Sequence, residues 1–157
     1  MGRKFEKISF EQFKKDVKDN QALYDSYNLP KRTTTYAAGY DFESLIDFDL
    51  NPGENIKIPL GIKVYMESDE VFLLLVRSSM GFKYNVRMCN QVGIIDADYV
   101  DNDENEGHMW IKLYNEGEKV FSIKKGDRIA QGIFIKYLRT DDDLIGQPRK
   151  GGLGSTK

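Results

Sequence analysis

The sequence predicts an all-β domain, a distorted jelly roll or β-barrel entered through a short N-terminal helix. Two observations carry this. From residue 40 onward, short runs rich in Ile, Val, Phe and Tyr recur about every ten residues, separated by Gly, Pro, Asn and Asp. Before residue 28 the apolar residues instead fall at helical spacing. A chain of 157 residues is enough for one core, so residues 1–157 read as a single domain.

Residues 1–28 read as an N-terminal helical extension. Ser9-Phe10-Glu11-Gln12 fits a capping box, in which the Ser hydroxyl and the Gln side chain satisfy free amides at the helix start. Phe10, Phe13 and Val17 form a stripe that docks on the domain or a neighbouring subunit, and Lys14, Lys15, Asp16, Lys18 and Asp19 form a solvated face. Strands are expected at 56–58, 60–66, 71–76, 109–114, 120–123 and 129–137, with turns at Asn51-Pro52-Gly53 and Lys125-Gly126-Asp127. Asp101-Asn102-Asp103-Glu104-Asn105-Glu106-Gly107 reads as a solvated hairpin tip, and residues 146–157 as a flexible glycine-rich tail.

Composition narrows the function. No apolar run approaches the roughly 20 residues of a membrane span, so a membrane protein is excluded. The basic start Met1-Gly2-Arg3-Lys4 lacks a following apolar core and Glu6 spoils a myristoylation match, so the expected address is the cytoplasm. Cys89 is the only cysteine, which leaves no intrachain disulfide and no multi-cysteine zinc site. The net charge of −2, with both signs dispersed, gives no basic footprint for nucleic acid.

Five clusters of small, polar or glycine residues interrupt the strands. Ala37-Ala38-Gly39-Tyr40-Asp41 offers a carboxylate for a cation-bound water or an arginine. Arg77-Ser78-Ser79-Met80-Gly81 puts a guanidinium, two hydroxyls and backbone amides at a strand end, which is phosphate-binding chemistry. In Asn90-Gln91-Val92-Gly93-Ile94-Ile95-Asp96-Ala97-Asp98-Tyr99, a glycine hairpin lets backbone approach a flat base while a carboxylate stands beside an aromatic ring. Gly126-Asp127-Arg128-Ile129-Ala130-Gln131 opens a strong strand with polar groups. Arg149-Lys150-Gly151-Gly152-Leu153-Gly154-Ser155-Thr156 has the cations, hydroxyls and glycines of a lid over a triphosphate, without the lysine spacing of a P-loop. Taken singly, each cluster also reads as a turn.

In order and spacing the five clusters resemble the motifs of the trimeric dUTPase family, from about Pro30 to Lys157 and including Leu29-Pro30-Lys31-Arg32. The resemblance implies a jelly-roll subunit, a homotrimer, and active sites assembled from motifs of different chains. It implies that Asp96 activates a water for attack on the α-phosphorus of dUTP, giving dUMP and pyrophosphate. By the same resemblance, Tyr99 packs against deoxyribose and excludes a ribose hydroxyl, while Asn90 and the backbone around Gly93 and Ile95 read uracil. Arg77, Ser78, Gln131, Arg149, Ser155 and Thr156 grip the triphosphate, with Ser79, Gly81, Gly152 and Leu153 completing the substrate contacts. Mg²⁺ bridges the phosphate oxygens and Asp41 orients a metal-bound water. Arg128 is expected to hold the Asp41 segment, and Asp98 and Asp47 to be surface or turn residues.

The chain departs from the family pattern in three places. Leu153 stands where a phenylalanine usually stacks on uracil, the hairpin after Tyr99 is lengthened by residues 101–107, and Lys157 replaces a common glycine. His108 and Trp110, at the return of that hairpin, are therefore candidate base lids; the plainer readings are a solvated hairpin residue for His108 and a core or interface residue for Trp110. Two alternatives accompany dUTP hydrolysis: a dCTP deaminase-like or bifunctional relative, and a dUTPase scaffold with an added regulatory protein-binding role through residues 101–107.

Overall fold

The structure, a computed structural model, describes residues 2–144 and 146–154. In chain order its elements are β1 (Lys4–Lys7), α1 (Phe10–Asp16), α2 (Gln21–Ser26), β2 (Tyr40–Glu43), β3 (Phe48–Leu50), β4 (Asn55–Pro59), β5 (Ile62–Tyr65), β6 (Glu70–Leu75), α3 (Ser78–Tyr84), β7 (Val86–Met88), β8 (Gly93–Asp96), β9 (Trp110–Asn115), β10 (Phe121–Ile123) and β11 (Arg128–Lys136). The strands pair antiparallel into a four-stranded sheet β2-β11-β6-β8, a three-stranded sheet β4-β9-β7, and the pairs β1-β5 and β10-β3. The all-β expectation holds.

Inward residues of β6, and of β11 from Ala130 onward, alternate with outward ones, so that Phe72, Leu74 and Ala130 are buried while Leu73, Leu75, Gln131 and Ile133 reach the surface; Ile129, where the register with β2 shifts, is buried beside Ala130. Phe5 of β1 enters this core among Tyr40, Phe42, Phe72 and Phe134, at ring-centroid distances of 5.1 to 6.0 Å. One strand of four residues thereby completes an aromatic cluster. The extension predicted as helical thus begins with a strand and contains two helices. Asn20 caps the second, its side chain accepting from the Leu23 amide at 2.9 Å.

The expected run at 60–66 is shortened to β5 by Gly61. This residue takes φ +71°, and a side chain there would place Cβ 2.8 Å from the Tyr27 hydroxyl. Its amide donates to His108 Nε2 at 2.8 Å and its carbonyl accepts from Tyr27 Oη at 2.9 Å. Among the unpredicted elements, β3 and β7 are only three residues long, too short to display alternation.

Two expectations about residues 101–108 are corrected. The insertion is only in part a solvated tip: Asp101, Asp103 and Glu104 are exposed, but Asn102 is buried and most of the polar side chains bond to one another and to the domain. Asn102 donates to the Tyr99 carbonyl at 2.7 Å and accepts from the amides of Glu104 and Asn105. Asp101 pairs with Lys63 at 2.6 Å and with the Tyr65 hydroxyl at 2.7 Å. Glu106 accepts from the Ser9 amide at 2.9 Å and from its hydroxyl, so it supplies the half of the capping box assigned to Gln12, which instead reaches Asp16. His108 is fully buried rather than solvated. Its Nε2 accepts from Gly61, which leaves the proton on Nδ1 to be donated to Asp16 at 2.6 Å. Burial holds this imidazole below its ordinary pKa, against the opposing pull of Asp16, so the ring is neutral at pH 7.

Candidate active site

The register of the four-stranded sheet gathers the first, second and fourth polar clusters at one end. Gln131 of β11 lies opposite Asp41 of β2 on one side and Leu75 of β6 on the other. Arg77 follows two residues beyond Leu75, at the start of α3. Asp41, Arg77 and Gln131, together with Thr33, Gly39, Ser78 and Ser79, line a cleft of about 530 Å³. Gln131 is fixed by donating to the Val76 carbonyl at 3.1 Å. Gly39 is required by close approach, since a Cβ there would fall 2.4 Å from the Gln131 amide oxygen.

Asp41 is mostly buried at the floor of this cleft. One carboxylate oxygen accepts from Arg77 Nε at 3.1 Å and the other from Arg128 at 3.2 Å. Arg128 thus holds the Asp41 segment, as its position in the sequence suggested. Two guanidinium groups share one carboxylate, so the cleft retains excess positive charge suited to phosphate oxygens. Ser78 and Ser79 present hydroxyls in the first turn of α3, and Gly81, in the same helix, faces open space.

The third cluster lies elsewhere. Along β8, Gly93 pairs with Leu74 and Asp96 with Val71. Arg77 is six residues further along than Val71, roughly 20 Å away at about 3.3 Å per strand residue. Asp96 and the cleft therefore cannot meet within one chain. Asn90 and Gln91 are exposed at the hairpin, whereas Gly93 and Ile95 are buried against β6.

Beside Asp96, the tail is folded back on its own chain. Arg149 donates to Asp96 at 2.9 Å and lies 3.3 Å from Asp98, with its guanidinium 5.2 Å from the centroid of the Tyr99 ring. Burial works against the charge on Arg149, but Asp96 and Asp98 outweigh it and hold the guanidinium above its ordinary pKa. The Gly152 amide donates to Glu104 at 2.7 Å. Leu153 remains more than half exposed. Ser155 and Thr156 lie outside the described residues.

Tyr99 is buried, and burial raises its phenol above the ordinary value. The neutral hydroxyl donates to the His108 carbonyl at 2.8 Å and accepts from Asn105 Nδ2 at 2.9 Å. Neither candidate lid covers the Gly93 hairpin. Both ring nitrogens of His108 are engaged inside the protein, and Trp110 packs on the three-stranded sheet between His108 and Lys57, whose ammonium is 4.7 Å from its ring centroid. Asp47 accepts from the Lys125 amide at 2.6 Å and is a turn residue as expected, but Asp98 has gained a partner in Arg149. Glu104 and Asn105 are functional candidates that sequence reasoning missed. The Asn-x-x-Asn spacing of Asn102 and Asn105, a pattern suited to side-chain caps of tight turns, was the available signal.

The profile of the dUTPase family matches residues 25–153 of this chain. The deoxyuridine 5'-triphosphate nucleotidohydrolase of Lactococcus lactis subsp. lactis is 42% identical over 131 residues, covering 82% of this chain and 87% of that protein. The chain belongs to the dUTPase family. The corresponding protein of Mannheimia succiniciproducens is 35% identical over 124 residues, covering 77% of this chain and 78% of its own. The crystal structure of a dUTPase from Streptococcus mutans superposes with a TM-score of 0.70 at 33% identity, covering 90% of this chain and 99% of that one. A dUTPase of the Staphylococcus aureus phage phi11, 19% identical with a TM-score of 0.68, shares the fold over 94% of this chain and 98% of its own.

Proposed function

We propose that this dUTPase hydrolyses dUTP to dUMP and pyrophosphate in sites shared between subunits of a homotrimer. The observation that carries this reading is the division of the site. A cationic cleft opens at one end of the sheet, and an exposed carboxylate stands about 20 Å away at the other. A second observation supports the shared arrangement. On the outward face of the sheet, Ile133, Leu73 and Ile94 form a cross-strand row, with Ile94 67% exposed. Asp96 projects from the same side of β8 as Ile94, so burying the row against a second subunit brings the carboxylate to the boundary.

The roles follow from the groups present. Arg77, Ser78, Ser79 and Gln131 hold the triphosphate in the cleft of one chain. From another chain, Asn90 and the backbone at Gly93 and Ile95 meet uracil, and Tyr99 lies against deoxyribose. A hydroxyl at the 2' position would meet the ring, while a cytosine amino group would meet a donor, leaving buried groups unpaired. Asp96 removes a proton from water as its oxygen attacks the α-phosphorus, and the bond from that phosphorus to the bridging oxygen breaks, releasing pyrophosphate. In this structure Arg149 occupies the Asp96 carboxylate. The triphosphate competes for that guanidinium, so substrate arrival both frees the carboxylate and uncovers Tyr99. Arg149, Gly152 and Leu153 then close over the nucleotide.

Mg²⁺ enters with the triphosphate as part of the substrate. Asp41 is already shared by two arginines, and among the described residues no three His, Cys, Asp or Glu side chains gather to cage a metal. This donor set suits an outer role, with Asp41 accepting from a water on the ion, and the ion neutralises phosphate charge. Among the described residues no helix is long and apolar enough to cross a membrane.

The shared site has a direct test. Asp96→Asn and Arg77→Ala chains, each expected to lose activity, are co-refolded and pyrophosphate release from dUTP is measured. Mixed trimers regain activity if cleft and base come from different chains; no regain refutes the sharing. Parallel assays with dCTP, dTTP and UTP, with and without Mg²⁺, check the substrate, and ammonia release from dCTP outpacing pyrophosphate from dUTP overturns it.

A further inference from the structure

The assignment of Tyr99 to the sugar leaves open what keeps its ring in place. A ring that excludes one hydroxyl by contact must be held to a fraction of the size of that hydroxyl, because a displacement of about 1 Å makes room for it. Besides the bond from its amide to the Asp96 carbonyl, Tyr99 is held by its carbonyl and its hydroxyl. Its carbonyl accepts from Asn102, its hydroxyl donates to the His108 carbonyl, and the same hydroxyl accepts from Asn105 Nδ2.

Of these partners, Asn105 is the one whose side chain meets the hydroxyl of the ring. Asn105 is itself immobilised, since its Oδ1 accepts from Asn102 Nδ2 at 2.8 Å and from the Gly107 amide at 3.1 Å. Its backbone amide donates to Asn102 Oδ1 at 3.1 Å. Asp101 and Glu106, on either side, adopt left-handed backbone at φ 57° and 60°, an arrangement that persists only where surrounding bonds over-determine it. His108 is locked in turn by Asp16 and Gly61. The phenol is therefore gripped between two rigid partners, one of them supplied by the insertion.

We propose that Asn105 is a positioning residue for deoxyribose selectivity, acting through the Tyr99 hydroxyl. The inference rests on Tyr99 being the residue that meets the sugar. Without the Asn105 donor, the hydroxyl keeps only the His108 carbonyl, the ring pivots about that single bond, and the space beside the 2' carbon opens. The insertion thereby sharpens discrimination against ribonucleotides without touching the nucleotide.

The test compares kcat/KM for dUTP and UTP in the full-length enzyme and its variants. Asn105→Ala is expected to raise the UTP-to-dUTP ratio about tenfold, the scale of one lost hydrogen bond, with dUTP kcat within about threefold of wild type, and Tyr99→Phe, which loses the His108 contact as well, is expected to raise the ratio at least as far. The double variant is expected to go no further than Tyr99→Phe, which already removes the Asn105 contact together with the His108 one. Tyr99→Phe deletes one oxygen and adds no volume, so it carries the test even if Asn105→Ala folds poorly. A wild-type ratio in Tyr99→Phe, or an equal loss toward both nucleotides, overturns the role of Asn105. Tyr99→Leu separates the two levels: if it leaves the ratio unchanged, Tyr99 does not read the sugar and the proposal falls with that reading. If it alone relaxes the ratio, only the role of Asn105 falls.

Discussion

The two ends of the four-stranded sheet solve opposite problems. At the cleft, Arg77 and Arg128 share Asp41 and keep contact with water, so an arriving anion finds cations that are already aimed and only partly satisfied. At the other end, Tyr99, His108 and residues 101–107 form a closed network in which nearly every polar atom near the ring is used. One region is built to accept charge and the other to resist movement. On the function proposed above, the difference means that binding strength and selectivity come from physically separate parts of the chain, and variants should separate them.

The largest expected effect tests whether the rigid end also carries the chemistry. Asp96→Asn should lower kcat by about two or more orders of magnitude while dUTP still binds, since general-base catalysis contributes on that scale. Single-turnover kinetics and nucleotide titration check it, and near-wild-type turnover breaks the assignment. Next, Asp41→Asn should lower kcat/KM on the order of tenfold to a hundredfold, because two guanidinium groups lose their shared anchor. Its effect on the urea midpoint should be small, as both arginines regain water. A large loss of stability would show that the cleft is structural rather than poised.

The smallest effect is a pH response confined to one region. Burial lowers the pKa of His108, so the unfolded chain binds this proton more readily than the folded one. The stability from the neutral ring is fully present above the unfolded value of about 6.5 and is lost as pH falls through the lower folded value. Between pH 7.5 and 5.5, hydrogen exchange corrected for its intrinsic rate should quicken in α1 and in residues 101–108 before β2 and β11. Uniform protection across these elements would remove the distinction between the two ends.

Much of this contrast was legible in the sequence, but unevenly. The apolar runs at 60–66, 71–76, 109–114 and 129–137 marked β5, β6, β9 and β11 because each is long enough to show alternation or continuous burial, whereas the short runs at 56–58 and 120–123 marked β4 and β10 through the turn residues that flank them. Phe5 in β1 left no comparable sign, since one aromatic residue in a polar tetrapeptide gains meaning only from its partners Phe42, Phe72 and Phe134. The polar clusters marked the site because cations, hydroxyls and glycines interrupt strands there without need. Residues 101–107 misled because a run of Asp, Asn and Glu has the same composition whether it is solvated or folded onto itself. His108 misled for a related reason: its burial depends on Gly61 and Asp16, which are distant in the sequence. The cis contact of Arg149 with Asp96 is likewise a property of the folded tail alone.

The contact of Glu106 with Ser9 has a consequence for how the chain is made. Helix α1 is seven residues long, well short of the roughly 12 to 15 that sustain a helix alone in water. Its cap is completed by a carboxylate 97 positions downstream, and the Asp16 at its last turn finds His108 from the same late segment. During synthesis, α1 therefore lacks both its completed cap and the partner of Asp16 until the hairpin beyond Tyr99 has been made. Helix α1, although it precedes most of the sheet in the chain, is among the last elements to settle.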